Sequence, residues 1–283
     1  MHKDEMLAAA NEAGLTHIVP DLARLTVESI RLKTQKVDES AIAVGATKIG
    51  GLPDLPAGTA WPAWKGAAQA FAAQINLAEL STLDPIRSLP ATGYLFFFYD
   101  SAQDIYGSNP SDKGGWQAIF FGGETSQLSR VPAPPSLPSG ARYQACAVEM
   151  SVEATLPHEP QILLPRLRWS DAEKLGYSNF LASYPSKGDR GLPHHRLLGQ
   201  PDQLQDDMHL AVQLASHGMS INTESPPADV VKGALNWRLL FQIDTDPQAG
   251  MNWANNGMVY YWIERDALKA RQFDRVWAVL QSE

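Results

Sequence analysis

The chain has 283 residues, with 31 acidic against 23 basic side chains and a formal net charge of −8. Hydrophobic residues at 44% and charged ones at 19% supply enough apolar surface for a core, which excludes a mainly disordered chain. The acidic balance disfavours nonspecific nucleic-acid or anionic-membrane partners, and the single cysteine, Cys146, excludes an internal disulfide and an all-cysteine metal site.

The N-terminus carries Asp4, Glu5, Glu12 and Asp21 and no apolar run of signal-peptide length, so it predicts a cytoplasmic protein. Met6, Leu7, Ala10 and Leu15, then Leu22, Leu25, Ile30 and Leu32, recur near helical spacing. They predict two helices, the second starting at Pro20-Asp21 and ending in the polar string 33–40. Residues 1–40 therefore read as an N-terminal helical extension and 41–283 as the main domain. The proline- and glycine-rich stretch 48–64 denies both a helix and a central strand. Trp61 and Trp64 predict that it is an ordered loop packed on a sheet.

Strands are predicted at 69–75, 93–100 and 114–123, with a short helix capped by Asn76 between the first two. The longest aromatic run, 94–99, is too short to cross a bilayer. The proline-rich stretch 131–143 reads either as a linker between halves 41–130 and 142–283 or as a rigid surface loop. After it, Cys146, Val148, Met150 and Val152 alternate as in a half-buried strand, which places the thiol in the core. Ser170 and Glu173 form a capping-box pattern opening a helix that Pro185 limits. Asp202 with Gln205 predicts a second helix running to Gly218, with Leu204, Met208, Ala211, Val212 and Ala215 inward and Asp206, His209, Gln213 and Ser216 toward solvent. Strands at 236–246, 258–263 and 273–281 and a helical turn at 266–270 complete an α+β chain of mostly antiparallel sheet.

The halves share a weak self-similarity. FAAQIN (71–76) and GYLFFF (93–98) match LLFQID (239–244) and GMVYYW (257–262), and Gly51-Leu52-Pro53 precedes one pair as Gly199-Gln200-Pro201 precedes the other. The Gln-to-Gly spacings, 19 and 15, differ. Duplication and chance recurrence of strand words both fit this pattern.

The phosphate-loop, dinucleotide, zinc-protease and nucleophile-elbow motifs are missing. His194 and His195 are adjacent and His209 and His217 eight apart, neither the i, i+4 spacing that converges on a metal, so they read as hydrogen-bonded surface histidines. Asp244 and Asp246 start like a calcium loop, but Ala249 and Asn255 occupy the positions that need Gly and Glu. That leaves a looser cation site or a pair of turn-capping carboxylates. Trp61, Trp64, Trp116 and Trp253 read as a stacking groove for a peptide or sugar, or as core packing.

In order from about Lys48 to Glu283, KIGGLPDLPAGTAWP, FAAQINLAEL, GYLFFFYD, HRLLGQPDQLQDDM and LLFQIDTDPQAGMNWANNGMVYYWI resemble the YwqG-like family, a bacterial domain of unknown function. The resemblance implies a cytoplasmic α+β protein with no established enzymatic activity and no established cofactor. It also implies kinship with eukaryotic programmed-cell-death and ribosome-assembly proteins, and with bacterial members beside toxin genes that are read as immunity proteins. Gln74, Asn76, Gln242, Asp244 and Trp253 match the family pattern without a catalytic role. Trp253-Ala254-Asn255 departs from the family's frequent Trp-Gly-Asp. The favoured reading is a noncatalytic module, immunity-like or chaperone-like, that binds a protein or peptide through Trp61, Trp64, Gln74, Asn76, Gln242, Asp244, Asp246 and Trp253. The alternative is a small-molecule hydrolase or divalent-cation binder using Asp244 and Asp246.

Overall fold

The computed structural model describes residues 2–81, 83, 88–183 and 191–282. Ten strands form one sheet: β1 (Val27–Lys36), β2 (Lys48–Ile49), β3 (Ala70–Asn76), β4 (Tyr94–Tyr99), β5 (Trp116–Phe121), β6 (Cys146–Thr155), β7 (His195–Leu197), β8 (Trp237–Asp244), β9 (Met258–Glu264) and β10 (Trp277–Gln281). Their order is β10-β9-β8-β7-β1-β6-β2-β3-β4-β5, and every ladder is antiparallel. The order reads the same from both edges when β1 exchanges with β6, β2 with β7, β3 with β8, β4 with β9 and β5 with β10. Each half's first strand is thereby inserted next to the other half's short strand.

The centre corrects two expectations. Helix ends at Leu25, and residues 27–36 form the strand paired along its whole length with β6. Ser29, Ile30, Arg31 and Leu32 are all buried, so both faces of β1 are covered. Ile30 and Leu32 fit a helical or an extended period equally well, and the partners that decide between them lie far away in sequence. Lys48–Ile49 is likewise a central strand, held between β6 and β3. The prolines and glycines that argued against one begin just beyond it.

The two wings face each other. Phe97 of β4 meets Phe241 of β8 and Tyr261 of β9, with ring centroids 4.6 and 4.9 Å apart. Trp116 of β5 meets Trp277 of β10 at 4.9 Å, and the Tyr261 hydroxyl donates to the Phe98 carbonyl at 3.2 Å. Aromatic edges and faces thus fill the space between wings, as in a sandwich made from one bent sheet. A second apolar cluster joins the N-terminal helices Lys3–Glu12 and Val19–Leu25 to Trp169, Tyr177 and Phe180. A third covers the outer side of the first wing with Leu55, Leu128 and Trp61 over Phe71, Phe96 and Phe98.

The Ser170–Glu173 capping box forms, with the Ser170 N–H donating to Glu173 at 2.7 Å at the head of helix Asp171–Ser183; Pro185 lies outside the described residues. The helix expected from Asp202 is confined to His209–Ser216. The N–H groups of Leu204 and Gln205 donate instead to the Gln281 side chain at 3.0 and 3.2 Å, and Asp207 accepts from the His209 N–H at the true start. His209 and Gln213 are buried rather than solvent-facing, because Gln213 accepts the Trp237 indole N–H and the His209 ring packs on Trp262. The loop 131–145 is pinned by the Arg142 guanidinium, which donates to the carbonyls of Pro134, Pro135 and Leu137. Among the described residues no helix is long and apolar enough to cross a membrane.

Candidate functional site

Gln74 and Gln242 hold matching positions. Gln74 lies between Lys48 and Phe96, and Gln242 between Arg196 and Tyr260. Each carboxamide is buried and saturated. Gln74 accepts from the Asp54 N–H at 2.8 Å and donates to Asp54 Oδ2 at 3.0 Å and to the Ala46 carbonyl at 2.9 Å. Gln242 accepts from the Asp202 N–H at 2.8 Å and donates to Asp202 Oδ2 at 3.0 Å and to the His194 carbonyl at 2.6 Å.

The basic residue opposite each glutamine pairs with the same aspartate, Lys48 with Asp54 at 3.4 Å and Arg196 with Asp202 at 2.6 Å. Between them runs basic-aliphatic-x-Gly-x-Pro-Asp, Lys48 to Asp54 and Arg196 to Asp202. The glycines are required: Gly51 and Gly199 have φ of +72° and +79°, and a Cβ would fall 2.1 Å from Glu39 Oε2 or 2.6 Å from Ser29 Cβ. Gly51-Leu52-Pro53 and Gly199-Gln200-Pro201 mark this correspondence in the sequence, and the charges lie just outside those words. Extending that alignment in both directions exposes Lys48, Asp54, Arg196 and Asp202.

Burial would raise the Asp54 carboxyl, but hydrogen bonds from Arg130, Gln74 and Gly45 and the Lys48 charge together hold it below the usual carboxylate range. Asp202 is likewise pushed up by burial and drawn further down by Arg196, His194 and Gln242.

Asn76 and Asp244 also correspond, one residue pair beyond the isoleucines of β3 and β8. The Asn76 N–H donates to Thr47 Oγ1 and the Asp244 N–H to His195 Nδ1, both at 3.0 Å. Because Nδ1 accepts, the ring proton of the buried His195 sits on Nε2, which donates to Asp246 Oδ2 at 3.2 Å. This histidine is core, not surface as expected. Asp246 Oδ2 also accepts from Thr34 at 2.7 Å, and Oδ1 from the Gln248 N–H at 2.8 Å. Burial acts to raise Asp246, yet the bonds from His195 and Thr34 hold it below the ordinary range. Asp244 Oδ2 accepts the His194 N–H at 2.7 Å; its burial outweighs that bond and raises the carboxyl. Trp253 is fully buried, its indole N–H donating to the Asp244 carbonyl and its ring against Tyr143 at 5.5 Å. Among the described residues no three His, Cys, Asp or Glu side chains converge as a metal site.

Of the eight candidates, Trp61 lines the large cleft of about 740 Å³ on the first wing, together with Phe71, Leu137, Arg142 and Tyr143. Its indole N–H is anchored to the Gln69 carbonyl at 2.9 Å and its ring stands edge-on to Phe98. Charges of both signs, Lys36 and Arg142 against Asp38 and Glu39, border the space. Trp253 supports this wall from behind through Tyr143. Trp64 sits in the small hairpin Ala63–Trp64/Ala67–Ala68, half-buried, with the Lys65 ammonium 3.9 Å from its ring centre. The glutamines, Asn76 and the two aspartates do not line this cleft.

The family described as "Domain of unknown function (DUF1963)" matches residues 47–282. The chain belongs to that family. Its matched region opens at Thr47, one residue before β2, so β1 and the N-terminal helices precede it although β1 is central to the sheet. No curated protein matches the chain.

Proposed function

We propose that this family member is a noncatalytic binding module that takes an extended peptide or protein segment in the cleft beside Trp61. The cleft itself carries the reading: about 740 Å³ of open space walled by Trp61, Phe71 and Tyr143 and bordered by charges of both signs. Aromatic rings with a mixed polar border suit an apolar side chain anchored between main-chain hydrogen bonds. The hydrolase and cation readings lose support because Asp246 spends both oxygens, and Asp244 one, on donors of the same chain. The matched frames around Gln74 and Gln242, in a strand order symmetric about β1 and β6, support descent of the two wings from one duplicated unit. At the finest level the reading is a YwqG-like cytoplasmic protein of immunity-like or chaperone-like type, with kin among the eukaryotic programmed-cell-death and ribosome-assembly proteins.

The test is selection from a displayed random-peptide library, followed by calorimetry of the recovered peptides. Trp61→Ala is expected to weaken a selected peptide by about tenfold or more, the usual loss for a central aromatic anchor, while Asp246→Asn leaves the cleft contacts intact. Peptides whose affinity ignores Trp61→Ala would refute the site.

A further inference from the structure

A second cavity of about 590 Å³ lies between the N-terminal helical segment, the turn after β7, and the ends of β8 and β9 remote from the Asp244 loop. Leu25, Leu164, Leu198, Trp237, Leu239 and Leu268 give it an apolar wall. Three arginines border it, Arg24, Arg238 and Arg265, and among the described residues lining it there is no Asp or Glu, in a chain of net charge −8. Arg24 and Arg265 are exposed and Arg238 is half-buried. Their charge is only partly compensated. Asp21 approaches Arg24 at 3.6 Å, whereas Glu264, next to Arg265 in the chain, is engaged by Arg275. Arg238 donates to the neutral carbonyls of Leu235 and Trp237 at 2.8 and 2.7 Å.

The second observation is a donor without an acceptor. Trp262 lines the cavity and is 1% exposed, yet its indole N–H has no hydrogen-bond partner among the described residues. Trp61, Trp116, Trp169, Trp237, Trp253 and Trp277 all place theirs on an oxygen within 3.1 Å. Buried polar groups are normally paired, so an orphan donor on a residue that lines an apolar, cation-bordered space points to a missing acceptor.

We propose that this cavity binds an amphipathic organic anion, a medium-chain aliphatic carboxylate, whose head takes the Trp262 N–H and the arginine charges while its chain lies on the leucine wall. A volume within the range of small-molecule sites and charge-assisted pairing at the mouth fit that class. The site is separate from the cleft beside Trp61.

The experiment is titration of the full chain by calorimetry with decanoate, decanol and decyltrimethylammonium, at low and moderate salt. One saturable decanoate site is expected, with decanol and the cation at least about tenfold weaker. The double variant Arg238→Ala/Arg265→Ala should lose about tenfold or more for decanoate and nothing for decanol, and Trp262→Phe about three- to tenfold. Arg265→Glu alone, at an exposed position that does not threaten folding, should weaken decanoate and strengthen the cation. Decanol binding as tightly as decanoate, multiple weak sites unaffected by these variants, or no saturable binding would each overturn the proposal.

Discussion

The two glutamine frames are built alike but closed differently. In the first wing, Lys48 and Arg130 balance Asp54 and Glu39, and Arg130 comes from the short outer strand Leu128–Arg130 paired with Asp54–Pro56. In the second, Arg31 and Arg196 balance Glu153 and Asp202, and the extra cation comes from the central strand β1. Among the described residues each network sets two cations against two carboxylates, which offsets the cost of burying either charge alone. Recruiting Arg130 ties the outer loop to the first frame and leaves the cleft beside Trp61 next to it. In the second wing the segment after Asp202 docks on Gln281. The first frame therefore borders the Trp61 cleft through Glu39 and Gly51, and the second adjoins the segment docked on Gln281.

Exposure provides the sharpest way to break this comparison. The Lys48 and Asp54 side chains are both fully buried, whereas Asp202 keeps 31% of its surface. Lys48→Met should cost about 3–5 kcal/mol in urea unfolding, because it leaves Asp54 and Glu39 sharing Arg130 as their one cation among the described residues. Arg196→Met should cost less, since water and His194, 3.3 Å away, still reach Asp202. Equal losses would mean that exposure does not distinguish the frames.

The glutamines should instead behave alike. Gln74→Leu and Gln242→Leu each remove one accepted and two donated bonds from buried partners, so each should cost about 2–4 kcal/mol and agree within about 0.5 kcal/mol. A larger disagreement would show that the shared geometry is not shared energetics.

The smallest effect separates Asp244 from Asp246. Asp246 titrates below its unfolded value, so the unfolded chain binds more protons and its stabilisation, present above the ordinary carboxyl range, is lost as pH falls through the folded value. Asp244 is raised, so its ionisation costs stability as pH rises through the folded value. Asp244→Asn should leave stability at neutral pH unchanged or higher by up to about 1 kcal/mol, as Asn76 already stands at the matching position. Asp246→Asn should lower it and flatten the acid limb of a melting-temperature profile. Reversed signs would overturn the opposite shifts assigned to the two carboxyls.

Local order was legible where short-range chemistry decides it. The aromatic strands β4, β5 and β9, the Asn76 cap, the Ser170–Glu173 box and the buried Cys146 follow from propensity, alternation and capping. The helix expected from Asp202 failed because that carboxylate has a better partner in Gln242, a residue forty positions away. The surface position expected for His195 fails because no local pattern places β7 between β1 and β8.

The amino-acid order by itself determined the α+β character, the antiparallel aromatic hairpins and the paired Gly-x-Pro turns, since these rest on contacts between near neighbours. Tertiary structure alone decided that residues 27–36 are a central strand, that each glutamine closes an ionic frame, and that Trp61 rather than Asp244 lines the large cleft. Those outcomes depend on which desolvated groups find partners across long stretches of chain, and a local pattern holds no record of a partner's position.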